Sequence, residues 1–167
     1  MSAVAEIAVR MGELAVSATP GDVLLSIGLG SCIGLALVDQ RRGIAGLAHI
    51  MLPEAIAPDG PPGKFADVAV PELVARTVAL GTSRGTLKAV LVGGAQMFSL
   101  NGGGGSLDIG VRNEAAVRGL LAAEHIPVVA AATRGSRGRT VRVWPGGAVV
   151  GKEAGGDEVE LLPGARG

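Results

Sequence analysis

Aromatic residues are nearly absent from this chain: one Trp, two Phe and no Tyr among 167 positions. A core built from such a sequence must be aliphatic. Cysteine is scarcer still. Cys32 is the only one, which excludes an internal disulfide and fits a reducing compartment holding a free thiol. With that one thiol and two histidines, His49 and His125, a metal site is a poor fit and no cofactor is expected. Charge of one sign is not in surplus either, since 15 Lys and Arg balance 15 Asp and Glu. A sequence-independent nucleic-acid binder needs an excess of cations facing phosphate, so that class is disfavoured. No apolar run reaches the roughly 18 residues that suggest a membrane span. The N-terminal stretch carries Glu6 and Glu13 and lacks the basic-then-apolar order of a signal peptide. A cytoplasmic protein without membrane insertion is the expectation.

What is present is aliphatic residues and glycine. Hydrophobic residues make up 48% of the chain, mostly Val, Ala, Leu and Ile, and there are 28 glycines. The length suits one domain over 1–167, with 153–167 expected as a weakly ordered tail. Weak alternation over 4–16 suggests a strand with a turn near Gly12, and 23–27 reads as a second strand. Residues 32–38 and 44–52 flank the turn Asp39-Gln40-Arg41-Arg42-Gly43 and form a hairpin pattern. Residues 54–64, rich in Pro and Gly, read as an exposed loop. A helix follows, with Asp67 as N-cap, Leu73, Val74, Thr77, Val78 and Leu80 as its apolar face, and Gly81 as its end. Strands are expected at 87–92 and 126–132, with a glycine-rich loop at 99–106 and a second helix at 111–124 between them. A hairpin around Pro145-Gly146-Gly147 and a last short strand at 158–162 complete the pattern. Roughly eight strands, often consecutive, with two main helices predict an α+β fold with mainly antiparallel pairing.

The hairpin carries the chemistry. If Asp39 lies opposite Ile44, paired positions sum to 83 and His49 falls opposite Gly34. Cys32 and His49 then share a face as diagonal neighbours, with Cβ atoms about 7–8 Å apart. An imidazolium can depress a thiol pKa from ~8.5 by several units. The thiolate could attack a carbonyl carbon and the histidine return the proton to a leaving amine. A third group usually orients the imidazole, and Ser26 and Asp39 are both candidates. The loop Gly28-Leu29-Gly30-Ser31 bends just ahead of the thiol, so the backbone N–H groups of Gly30, Ser31 and Cys32 could serve as an oxyanion hole. Against this stands the common inert buried cysteine. The glycines also resemble half a phosphate loop, but no helix follows them and no Lys-Ser/Thr pair completes it.

At these residues the sequence resembles the chemoreceptor glutamine deamidases, the CheD family. The runs Leu29-Gly30-Ser31-Cys32 and Ala48-His49-Ile50-Met51-Leu52-Pro53 carry the likeness. Three more stretches agree in order: Gly63-Lys64-Phe65-Ala66-Asp67, Gly93-Gly94-Ala95-Gln96-Met97-Phe98 and Ile109-Gly110-Val111-Arg112-Asn113. The resemblance implies an α/β sandwich and hydrolysis of receptor glutamine side chains to glutamate, with ammonia released. It also implies Cys32 as nucleophile, His49 as base and Ser26 in place of the family's third residue, a threonine six positions before the cysteine. The implied partners are the cytoplasmic region of a methyl-accepting chemoreceptor as substrate and a CheC-type phosphatase as regulator. The alternative is a non-catalytic binding module for such a phosphatase or for a receptor tail. A small-molecule cysteine amidase is a third reading. Arg112 and Asn113 have two readings, as substrate-contacting polar groups near the pocket or as a helix-start salt bridge and cap, and the second is favoured.

Overall fold

The computed structural model describes residues 5–55, 60–96 and 108–167. Ten strands and two α-helices follow in the order β1 (Glu6–Ala8), β2 (Leu14–Ser17), β3 (Val23–Leu29), β4 (Ile33–Asp39), β5 (Ile44–Ile50), α1 (Ala66–Ala79), β6 (Lys88–Gly93), α2 (Ile109–Ala123), β7 (Val128–Thr133), β8 (Arg139–Val143), β9 (Val149–Glu153) and β10 (Glu158–Leu162). They form two five-stranded sheets, β1-β3-β8-β9-β10 and β2-β5-β4-β6-β7. Only β1–β3 and β6–β7 pair in parallel. The fold is α+β, mostly strand, as the sequence pattern predicts.

The second sheet explains why β4 and β5 are continuous apolar runs rather than alternating ones. Every residue of both strands is buried. One face, with Ile33, Leu35, Leu37, Ala48 and Ile50, packs under Leu73 and Val74 of α1 and Val117 and Leu121 of α2. The other face, with Ala36, Val38, Ala45 and Leu47, meets Leu24, Val141, Val143 and Val149 from the first sheet. A sheet covered on both sides has no solvent face and needs no polar alternation. Truncating a fully buried leucine such as Leu35 would cost about 2–5 kcal/mol.

The hairpin register holds. Asp39 pairs with Ile44, Gly34 with His49, and Ile33 with Ile50 as the last rung. Other expectations change. The N-cap of α1 is Phe65, not Asp67, whose carboxylate instead accepts the Ala55 N–H at 3.0 Å. Val78 and Leu80 are exposed, so the buried stripe of α1 is narrower than the pattern suggested. The last short strand expected at 158–162 is β10, which pairs antiparallel with β9, and beyond it Ala165 bridges to Gly147, inside the stretch 153–167 expected as a weakly ordered tail. The glycine-rich loop 99–106, like Met97 and Phe98, lies outside the described residues.

Candidate active site

Cys32 is the last residue before β4 and is half-buried. Behind it lies the end of β6, where Gly93 and Gly94 both adopt positive φ. A Cβ at Gly93 would overlap the Cys32 carbonyl oxygen, so only glycine lets the two backbones approach. The carbonyls of the turn are all engaged. Gly30 O accepts from Ala95 N at 2.8 Å, Cys32 O from Gly94 N at 2.9 Å, and Ser31 O from the Asn113 side chain at 3.0 Å. The N–H groups of Gly30, Ser31 and Cys32 have no acceptor among the described residues. That is the arrangement an oxyanion hole requires: donors held by their own peptide planes and left unspent.

His49, near the end of β5, is 1% exposed and lies opposite Gly34, on the face turned toward the first sheet. Its Nδ1 lies 3.1 Å from the carbonyl oxygen of Val9. A carbonyl only accepts, so Nδ1 carries the proton and Nε2 of the neutral ring keeps its lone pair. Nε2 is buried and has no partner among the described residues. Cys32 packs against the same inter-sheet cluster, although no hydrogen bond joins its sulfur to the ring.

Ser26 is fully buried in β3, and its hydroxyl donates to the same Val9 carbonyl at 2.8 Å. The serine therefore meets the imidazole through a shared backbone acceptor rather than directly. Val9 sits there because β1 runs parallel to β3, with Ala8 beside Leu25, and Val9 N continues the contact to Leu25 O at 2.7 Å. Asp39, the other candidate third group, lies at the far end of β4 in a cluster with Thr82, Thr86 and Arg42. His125 follows α2 in the left-handed region, at φ 58°.

The electrostatics correct one expectation. Burial pushes the Cys32 thiol up from its ordinary value. Burial also pulls the His49 imidazole down, and this outweighs the opposing pull of the Val9 carbonyl and of Glu13. Both shifts disfavour a resting thiolate–imidazolium pair, so at neutral pH the two groups rest uncharged. Beside His49 opens a cleft of ≈ 440 Å³, lined by Ala8, Val9, Arg10, Met11, Leu25 and Ile27. Met11 and Ile27 are 63% and 66% exposed and form an apolar rim. Cys32 does not line this cleft.

Two contributors hold positions that the sequence pattern does not assign them. Val9 acts through its backbone, which leaves no residue signature. Asn113, read as a helix cap, is instead wholly buried and donates to Ser31 O and to Met51 O at 2.9 Å. Its neighbour Glu114, also buried, accepts from Arg118 one turn on in the same helix and ties α2 to Thr133 and Arg134.

Fold and site together define a class, an α+β protein with a half-buried free thiol and a buried imidazole between its two sheets. Comparison with known proteins narrows it. Residues 51–151 match the family model described as CheD chemotactic sensory transduction. The chain is 45% identical to a protein of Symbiobacterium thermophilum over 82% of this chain and 85% of that one. It is 42% identical to one of Clostridium kluyveri over 81% and 85%, and 38% identical to one of Geobacillus kaustophilus over 97% and 100%. All three bear the name probable chemoreceptor glutamine deamidase CheD. The chain belongs to the CheD family. The matched span begins just after His49, so the later motifs carry the family match independently of the thiol and the imidazole.

Proposed function

We propose that this protein is a protein-glutamine deamidase that hydrolyses side-chain amides of chemoreceptor glutamines to glutamate, with Cys32 as nucleophile and His49 as base. The observation that carries the chemistry is the imidazole itself. Its Nδ1–H is committed to Val9 O, and its Nε2 is buried and, among the described residues, unpartnered on the face that the thiol shares. The names of the relatives supply the substrate class.

The reaction follows from these groups. His49 Nε2 takes the thiol proton as Sγ adds to the carboxamide carbon. Nε2 has no existing partner to release, so the approach of sulfur breaks no hydrogen bond at the ring. Negative charge develops on the former amide oxygen and is met by the free N–H groups of the Gly30–Cys32 turn. The tetrahedral adduct collapses as the C–N bond breaks, and the His49 proton leaves on nitrogen as ammonia. A thioester remains. Water, deprotonated by His49, attacks its carbonyl carbon, and the C–S bond breaks to give glutamate and the free thiol. A neutral resting pair suits this scheme, because the base is already unprotonated. The apolar rim of Met11 and Ile27 offers a protein substrate a seat beside the base.

The test is mass spectrometry of a recombinant receptor cytoplasmic fragment incubated with the protein. A gain of about one mass unit at a glutamine, absent with Cys32→Ala, supports a thiol deamidase. Identical spectra with and without the thiol, while both proteins bind the fragment, would favour a binding module instead.

A further inference from the structure

The β4–β5 ladder stops one rung short of the thiol. Its register would next pair Cys32 with Met51, but Met51 N turns away to Lys64 O at 2.9 Å. The gap is filled by a side chain from another element. Asn113 of α2 uses Nδ2 to donate to Ser31 O at 3.0 Å and to Met51 O at 2.9 Å. One amide nitrogen carries two N–H donors, so both are spent on the two chain segments that hold the thiol and the imidazole. The helix can come this close because Gly110, one turn earlier, has no Cβ to overlap the Gly94 carbonyl.

Ser31 O and Cys32 N–H belong to one peptide unit. That unit is planar and trans, so its carbonyl and its N–H point in opposite directions. Holding Ser31 O against α2 therefore aims the Cys32 N–H away from the helix, where it meets no acceptor among the described residues. The Asn113 Oδ1, meanwhile, is buried without a donor among the described residues. An aliphatic side chain would fill the space without that penalty, so what favours asparagine here is its pair of donors.

We propose that Asn113 is a positioning residue that orients the Ser31–Cys32 peptide so that the Cys32 N–H serves the oxyanion formed on the substrate amide. The proposal rests on the thiol-deamidase reading above.

Full-length Asn113→Ala and Asn113→Ser are compared with wild type on the receptor cytoplasmic fragment, with folding checked by thermal melts. Removing one oxyanion donor outright costs about 10²–10³ in kcat, so losing its orientation is expected to lower kcat by about 10–100-fold with KM unchanged. Asn113→Ser retains a single donor and recovers part of that loss. It also supplies the answer if the alanine variant does not fold. The decisive second readout is the rate of Cys32 alkylation by iodoacetamide across pH. Displacement at a saturated carbon builds no oxyanion, so this rate stays at the wild-type value. A folded variant with undiminished kcat overturns the proposal. So does a parallel fall in kcat and alkylation, which marks Asn113 as a strut for the loop. Cys32→Ala is assayed alongside: wild-type deamidation there overturns the thiol reading and this proposal together. Its inactivity beside a fully active Asn113→Ala sinks the Asn113 role alone.

Discussion

The two ends of β4 hold buried polar groups under opposite conditions. At the C-terminal end, the Asp39 carboxylate is saturated. Thr82 and Thr86 donate their hydroxyls to Oδ2, and Arg42 adds its backbone N–H at 3.1 Å and its guanidinium at 3.2 Å. At the N-terminal end, His49 Nε2 lacks a partner and three backbone N–H groups lack acceptors among the described residues. Burial alone would raise the Asp39 pKa, but its donors outweigh that effect and hold it at about 2. At the other end, burial prevails and shifts both the thiol and the imidazole toward their neutral forms. The same strand thus carries a clasp whose hydrogen bonds are complete and an end where, among the described residues, polar groups are left open, as the proposed site needs. Satisfied buried polar groups stabilise a fold, whereas open ones cost stability and are retained where chemistry uses them.

The comparison breaks most visibly if the open end is damaged. Cys32→Ala should lower kcat for receptor deamidation by about 10⁴-fold or more while leaving the melting temperature nearly unchanged. His49→Ala should cost about 10²–10⁴ in kcat. For the wild type, the kcat/KM profile should fall on acidification only below the ordinary histidine range near 6.5, because burial lowers the pKa of the free enzyme's base. An acid limb at or above that value would mean that His49 is charged at rest.

The closed end should respond in stability alone. Thr82→Val removes a donor from Asp39 and should destabilise the fold by about 1–3 kcal/mol in urea melts with kcat unchanged. The sign of the pH effect follows from a folded pKa held below the ordinary 3.8. The Asp39 contribution is fully present above that value and is lost as pH falls toward about 2, amounting to about 2 kcal/mol. Thr82→Val should flatten this acid dependence. The smallest effect belongs to Ser26. Its hydroxyl touches the Val9 carbonyl and not the ring, so Ser26→Ala should lower kcat by only about 2–10-fold, the worth of one net hydrogen bond.

The hairpin that carries His49 and leads into Cys32 could be read before any coordinates, and the reason is local. A tight turn of polar residues between two apolar runs determines the β4–β5 register, which puts His49 opposite Gly34 and runs to Ile33–Ile50, one rung short of Cys32. The glycines ahead of the thiol announced a turn for the same reason. What stayed hidden depends on distant chain segments. Val9 reaches His49 only through parallel pairing of β1 with β3, which no periodicity announces. Asn113 reads as a cap only if the helix starts late; α2 begins at Ile109 behind Asp108, which puts Asn113 inside the helix with its amide donating to two carbonyls. The last strand is legible at 158–162, but its pairing with β9 is not, because β10 is an edge strand with Val159 56% exposed and burial leaves little pattern in it.

The central claim is that the chemistry passes through the thiol at the open end of β4. It is tested most directly by acid-quenching the wild-type protein within its first turnovers on the receptor fragment and searching Cys32 peptides by mass spectrometry. The account predicts a thioester linking Cys32 to a receptor glutamine side chain, absent in Cys32→Ala, with receptor deamidation lost in parallel. Deamidated receptor at the wild-type rate from Cys32→Ala, with no adduct on the wild type, would contradict it.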